Sequence, residues 1–188
     1  MRFCLMGLFL LSMLITTSAL ATSLDVNLSP HAVRVGGTQQ VTKSGLEIGG
    51  NWLHHMDHGD IFAGALHLVD YPEPGRGALK LGVGGKFLVI EEDGPNVQGV
   101  ALALGGKVRY TWPTFNRIGI GAHVYFAPQV SSGGDVERYF EGALRAEYLI
   151  LRHANVYLGV RTVRVGDDVR NETHDFDSAV FLGLRLDF

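Results

Sequence analysis

Across Ser178 to Phe188 the chain reads Ser-Ala-Val-Phe-Leu-Gly-Leu-Arg-Leu-Asp-Phe. Side chains alternate along an extended strand with period two, so Val180, Leu182, Leu184, Leu186 and Phe188 share one face. Ala179, Phe181, Gly183, Arg185 and Asp187 share the other. A helix would scatter both sets around its circumference. A strand of this kind must lie between an apolar phase and a polar one.

The same rhythm runs through the preceding chain. Extended segments are expected at Gly45–His54, Asp60–Asp70, Ala78–Ile90, Val97–Tyr110, Arg117–Ala127, Val136–Leu151, Asn155–Val165 and Ser178–Phe188. Turn-forming clusters separate them, at Asp57–Gly59, Pro72–Gly77, Asp93–Asn96, Pro113–Asn116, Ser131–Asp135, Arg152–Asn155 and Gly166–Asp177. Thr22–Thr42 contains short alternating runs that could add one or two strands. The expected architecture is all-β, a closed antiparallel transmembrane barrel of eight to ten strands. Connections such as Pro113–Asn116 are tight, while those after Ala127 and Val165 are longer and polar. Short periplasmic turns and longer outer loops would put Gly166–Asp177 outside and the last strand's end in the periplasm.

The apolar phase includes Leu46, Ile48, Trp52, Phe62, Leu66, Leu81, Val83, Leu102, Leu104, Ile120, Val124, Leu144, Tyr148, Leu158 and Val160. The opposite phase carries Glu47, Lys80, Lys86, Lys107, Arg109, Arg117, His123, Glu141, Arg145, Glu147, Arg161, Arg185 and Asp187 among many Gly and Ala residues. Alternation alone leaves inside and outside open. A soluble lipocalin-like binding barrel would bury the apolar face around a ligand. Aromatic residues at strand ends favour a membrane barrel: Tyr71, Tyr110, Trp112, Tyr148 and Phe188 toward one rim, Trp52, Phe87, Phe126 and Phe140 toward the other. Mixed charges among small residues also suit a crowded lumen.

Residues 1–21 read as a cleaved signal peptide, with Arg2 as the positive region, an apolar core from Phe3 to Ile15, and Ala19-Leu20-Ala21 as the cleavage site. Residues 22–188 then form a single domain. The sole cysteine, Cys4, would leave with the leader, so neither a disulfide framework nor Cys-ligated metal is expected. Loss of Arg2 takes the formal charge from −3 to −4, too small to imply a nucleic-acid partner.

The terminal strand, apolar at every second position and closed by Phe188, resembles the assembly signal of bacterial outer-membrane barrels. The resemblance implies residence in the outer membrane, delivery by the barrel-assembly machinery through that strand, and contact with membrane lipid and lipopolysaccharide. Further pieces are Gly49-Gly50-Asn51-Trp52-Leu53-His54, then Asp57-His58-Gly59-Asp60, then Val83-Gly84-Gly85-Lys86, and the run from Glu141 to Tyr148. In this order they resemble the YfaZ family of small bacterial outer-membrane proteins. That likeness implies a barrel and carries no catalytic residue to this chain.

Candidate chemistry is sparse. His54, His55 and His58 could supply imidazoles to Zn²⁺ or Cu²⁺, although solvated loop histidines are the plainer expectation and no cofactor is implied. Ser131, Ser132, His174, Asp175 and Ser178 match no nucleophile spacing, so no enzyme is expected. Loop acids including Asp57, Asp60, Glu91, Glu92, Asp167, Asp175 and Asp177 are expected as solvated tips near lipopolysaccharide. The lumen charges leave two readings. Paired ions would plug a narrow barrel with a structural or interaction role, while a basic water-filled lumen would make a passive pore for small anions.

Overall fold

The computed structural model describes residues 22–41, 45–70, 79–92, 97–167 and 172–188. The expected leader lies outside the described residues, as does Tyr71. The strands are β1 (Thr22–Leu28), β2 (Ala32–Gln40), β3 (Leu46–His55), β4 (Gly59–Asp70), β5 (Leu79–Glu92), β6 (Gln98–Thr111), β7 (Ile118–Ala127), β8 (Ser132–Gly134), β9 (Val136–Leu151), β10 (Ala154–Asp167) and β11 (Glu172–Asp187). All pairings are antiparallel; the wall strands pair in chain order, β7 pairs with β9 while the short β8 between them pairs with β6, and β1 closes the ring against β11. Among the described residues ten strands form the wall. Thr22–Gln40 supplies two of them, resolving the ambiguous N-terminal stretch.

The three-residue β8 is a patch. β7 pairs with β6 only from Leu104 to Thr111, and β8 takes up the ladder at Gly99–Ala101. Gly134 makes the return into β9 at φ +75°, where a Cβ would sit 2.5 Å from the Gln98 carbonyl oxygen. Closure and this patch satisfy backbone groups that hydrocarbon could not.

The apolar phase faces outward. Ile48, Leu66, Leu68, Val83, Leu104, Val124, Leu144, Leu158, Val160, Val180 and Leu182 are all exposed, whereas Glu47, Lys86, Glu141, Glu147 and Arg161 are buried inside the ring. This geometry excludes the soluble lipocalin-like barrel, which needs the reverse. Register locks the assignment, since a one-residue slip turns every side chain to the other face.

Three expectations are corrected. The last hairpin is tighter than Gly166–Asp177, because β10 and β11 extend to Asp167 and Glu172. A bulge there sets Arg164 opposite Asp175 and Val163 opposite Asp177, so the adjacent Phe176 and Asp177 are both buried. Asp177 is therefore no loop acid. Glu92 is likewise buried. Finally, loop length does not distinguish the two ends. Among the described residues, Thr22 and Phe188 share one end with the connections 112–117 and 152–153, and the far end holds 29–31, 56–58 and 128–135, so each end has both short and longer connections.

β1 is short, so among the described residues β11 above Leu182 has no strand neighbour on that side. His58 covers part of this edge: its Nδ1 donates to the Phe176 carbonyl at 2.7 Å. The His55 and His58 rings stack there at 4.4 Å, and His55 packs edge-on against Phe176. The His58 imidazole thus supplies one hydrogen bond to this edge, and His55, whose Nδ1 accepts from the Asp57 N–H, packs beside it.

Candidate functional site

The lumen has two halves of different chemistry. Toward the far end it is filled by apolar side chains from around the ring: Leu53, Ile61, Leu88, Ile90, Val163, Val165 and Phe176 are all fully buried, with Val97 and Tyr139 beside them. They share the inward phase with the charged residues. In β5, for example, Lys80, Lys86, Leu88 and Ile90 all point inward, so one strand supplies both halves.

Below this plug lies an ionic layer centred on Glu141 of β9. Its Oε2 accepts hydrogen bonds from Lys86 Nζ at 2.7 Å and Tyr139 Oη at 2.8 Å. Its Oε1 meets Arg34 Nη1 at 2.8 Å and His123 Nε2 at 2.9 Å. A bare carboxylate here would be very costly to desolvate, and four partners on β2, β5, β7 and β9 offset that cost. Arg161 adds a second tie, its Nε donating to Asp177 and its Nη1 to Asn27, both at 2.7 Å.

Nearer the terminal end the charges are partly solvated. Lys107 and Lys80 both pair with Glu47. Arg109 and Arg145 flank Glu147 at 2.6 and 2.7 Å. Arg145 also approaches Asp25, to which Tyr157 donates its hydroxyl proton. Arg185 pairs with Asp187 at 2.9 Å. These groups surround a cavity of about 190 Å³, whose lining also includes Asn51, His67 and the small residues Gly36, Gly49, Ala65 and Gly121.

Of the lumen candidates, Lys80, Lys86, Lys107, Arg109, His123, Glu141, Arg145, Glu147, Arg161 and Arg185 come together on the inward face. Arg117 does not. β7 begins only at Ile118, and Arg117 is exposed in the preceding turn, its carbonyl accepting from the Leu149 N–H. Sequence reasoning passed over Asp25, Arg34, His67, Tyr125, Tyr139 and Tyr157. Arg34 sits in the same short alternating run as Val33 and Val35, the one available signal for it.

The suggested metal ligands separate. His54 and His55 are consecutive in β3 and point to opposite faces. His54 pairs with Asp60 at 2.9 Å, and Trp52 Nε1 donates to the same carboxylate. His55 and His58 are the stacked pair at the seam. Among the described residues no cluster of His, Cys, Asp or Glu has metal-binding geometry. The loop hydroxyls and acids are equally dispersed: Ser131 and Ser132 donate to the Pro128 carbonyl, Ser178 contacts Thr162, Asp175 pairs with Arg164, and His174 pairs with Glu92.

A closed ring with an apolar exterior and charged groups turned into its lumen defines an integral membrane β-barrel of the bacterial outer-membrane class. The chain belongs to the YfaZ family, whose description is "YfaZ precursor" and which matches residues 1–188. It is 26% identical over 178 residues to the outer membrane protein YfaZ of Escherichia coli (strain K12), covering 94% of this chain and 93% of that one. The protein is accordingly an integral outer-membrane barrel. Similar solved structures include the KdgM porin, with TM-score 0.47 and 9% identity, covering 89% of this chain and 99% of that one. The NanC porin has TM-score 0.45 and 8% identity, covering 90% of this chain and 99% of that one.

Proposed function

We propose that this barrel is closed to solute flow and serves the outer membrane as a structural or interaction protein. The observation that supports this reading is the stacked pair of obstructions in the lumen. The Arg34–Glu141–Lys86 layer ties opposite walls together, and behind it the cluster around Leu53, Leu88 and Phe176 leaves these side chains no exposed surface. An ion crossing such a core would shed its hydration with no compensating ligand. A passive anion pore would need that half of the lumen polar or empty. β11 with Phe188 would be the segment received by the assembly machinery on the periplasmic side, and the loops at the opposite, far end would then meet lipopolysaccharide.

Planar-bilayer recording of the purified, refolded chain tests the reading. The expected result is a baseline without reproducible current steps. Steps that change in size when Lys107 or Arg145 is replaced would overturn it in favour of the anion pore.

A further inference from the structure

The cavity at the terminal end has features that a space-filling lumen does not require. Seven Lys and Arg side chains line it, against Asp25 and Glu47 as the lining carboxylates among the described residues. Adding Glu141, Glu147 and Asp187, which pair with lining cations from the wall, still leaves two more cations than carboxylates. A lumen stabilised only by ion pairs would be expected to balance.

The excess is also concentrated. Lys80 on β5 and Arg109 on β6 lie directly opposite one another in the ladder. Like charges in that position destabilise a sheet. Lys107 occupies the next inward position along β6, so three cations crowd one patch of wall. Facing space is kept open by Gly36, Gly49, Ala65 and Gly121. In the same lining, Asn51 Oδ1, His67 Nδ1 and Arg34 Nε are buried without a hydrogen-bond partner among the described residues. Departures from local favourability of this sort collect at functional positions.

We infer that this cavity is a binding pocket for a small, water-soluble polyanion bearing carboxylate or phosphate groups, entered from the barrel end that carries Thr22 and Phe188. Arg109, Arg145 and Arg185 each present a planar fork of donors matched to carboxylate and phosphate oxygens. The lysines add mobile point charges around the same space. The pocket ends at the Glu141 layer, so the anion binds and leaves by the same mouth. This inference rests on the closed-lumen reading, because an open lumen would make the same side chains a transit surface. Conductance tests that reading, whereas equilibrium binding tests this one.

The experiment is calorimetric titration of the refolded full barrel in detergent with two probes, inorganic phosphate and citrate, and with glucose as a neutral control. Saturable binding of one or both anions at one site per chain is expected, weakening as salt is raised. Phosphate alone would identify a phosphate-bearing ligand, citrate alone an organic acid, and both the shared anionic chemistry. Lys80→Gln and Arg185→Gln should each weaken binding about tenfold, the scale of losing one charge-assisted hydrogen bond. Both leave the buried carboxylates with partners, since Lys107 still meets Glu47 and Asp187 is partly exposed. Arg164→Gln removes the same charge from an exposed pair near the far end and should leave binding unchanged. Heat-modifiable gel migration confirms that each variant is folded. Absence of saturable binding by the folded parent at millimolar phosphate and citrate overturns the inference. So does equal weakening by Arg164→Gln, which would mark a diffuse charge effect.

Discussion

Arg34 of β2 and Glu141 of β9 meet at 2.8 Å across the lumen, joining walls that are well separated around the ring. The chain stations between them differ by more than a hundred residues, so the contact can form only when the barrel has nearly closed. With Lys86 and His123 it fixes the relative positions of β2, β5, β7 and β9 at one depth.

Replacing Glu141 by Ala would leave Arg34 and Lys86 buried without their counter-charge. Loss of about 3–5 kcal/mol is expected, read as a lower urea midpoint for the refolded barrel. Combining Glu141→Leu with Lys86→Met and Arg34→Met should recover much of that loss, because an apolar replacement of the whole group removes the desolvation cost as well. A Glu141→Ala barrel as stable as the parent would show that the layer is not a structural tie.

Gly183 lies under the Tyr157 ring, and a Cβ there would come within 2.2 Å of the ring carbon. The ring is held in that place because its hydroxyl donates to Asp25 while Arg145 stacks on its face at 4.7 Å. Gly183→Ala should cost about 1–3 kcal/mol through overpacking. In a double-mutant cycle with Tyr157→Ala the penalty should largely vanish, since the obstructing ring is gone. Additive losses would mean that the glycine matters for a reason other than this contact.

Val180 faces outward at mid-length of β11, opposite Val160 of β10. Val180→Arg should destabilise the barrel in lipid by about 2–4 kcal/mol, the cost of a guanidinium near the bilayer midplane. The neighbouring Ala179 faces the lumen beside Arg161, and Ala179→Ser should be tolerated far better. Urea titration in liposomes compares them. Equal effects would contradict the assignment of faces.

How much of this was legible in the sequence depended on how clean the alternation was. Leu182, Leu184, Arg185 and their counterparts on other strands follow period two without interruption, so the two faces could be told apart, and the aromatic rims with the mixed charges then pointed the apolar face outward. The apolar plug was obscured because it breaks that rhythm. Leu88 and Ile90 lie inward within the continuous run Phe87-Leu88-Val89-Ile90, and Leu53 follows the outward Trp52. An unbroken apolar run signals burial on both faces, so this was the available clue to a filled far end. Phe176 was hidden for a different reason. The bulge in β11 resets the phase between Asp175 and Asp177, and no period-two reading crosses such a reset correctly. The His58 contact depends on how far β1 extends, a tertiary matter that local sequence does not encode.

The most direct test of the closed lumen compares the parent with Leu53→Ala/Leu88→Ala/Phe176→Ala in planar bilayers, after both have passed the heat-modifiability check. Each truncation removes buried volume from the plug, at about 2–5 kcal/mol apiece, and together they open the far half above the ionic layer. The account predicts a silent parent and measurable ion leak once Glu141→Ala is added to the triple variant, which removes the ionic obstruction as well as the apolar one. A parent that conducts as readily as the variant would contradict it.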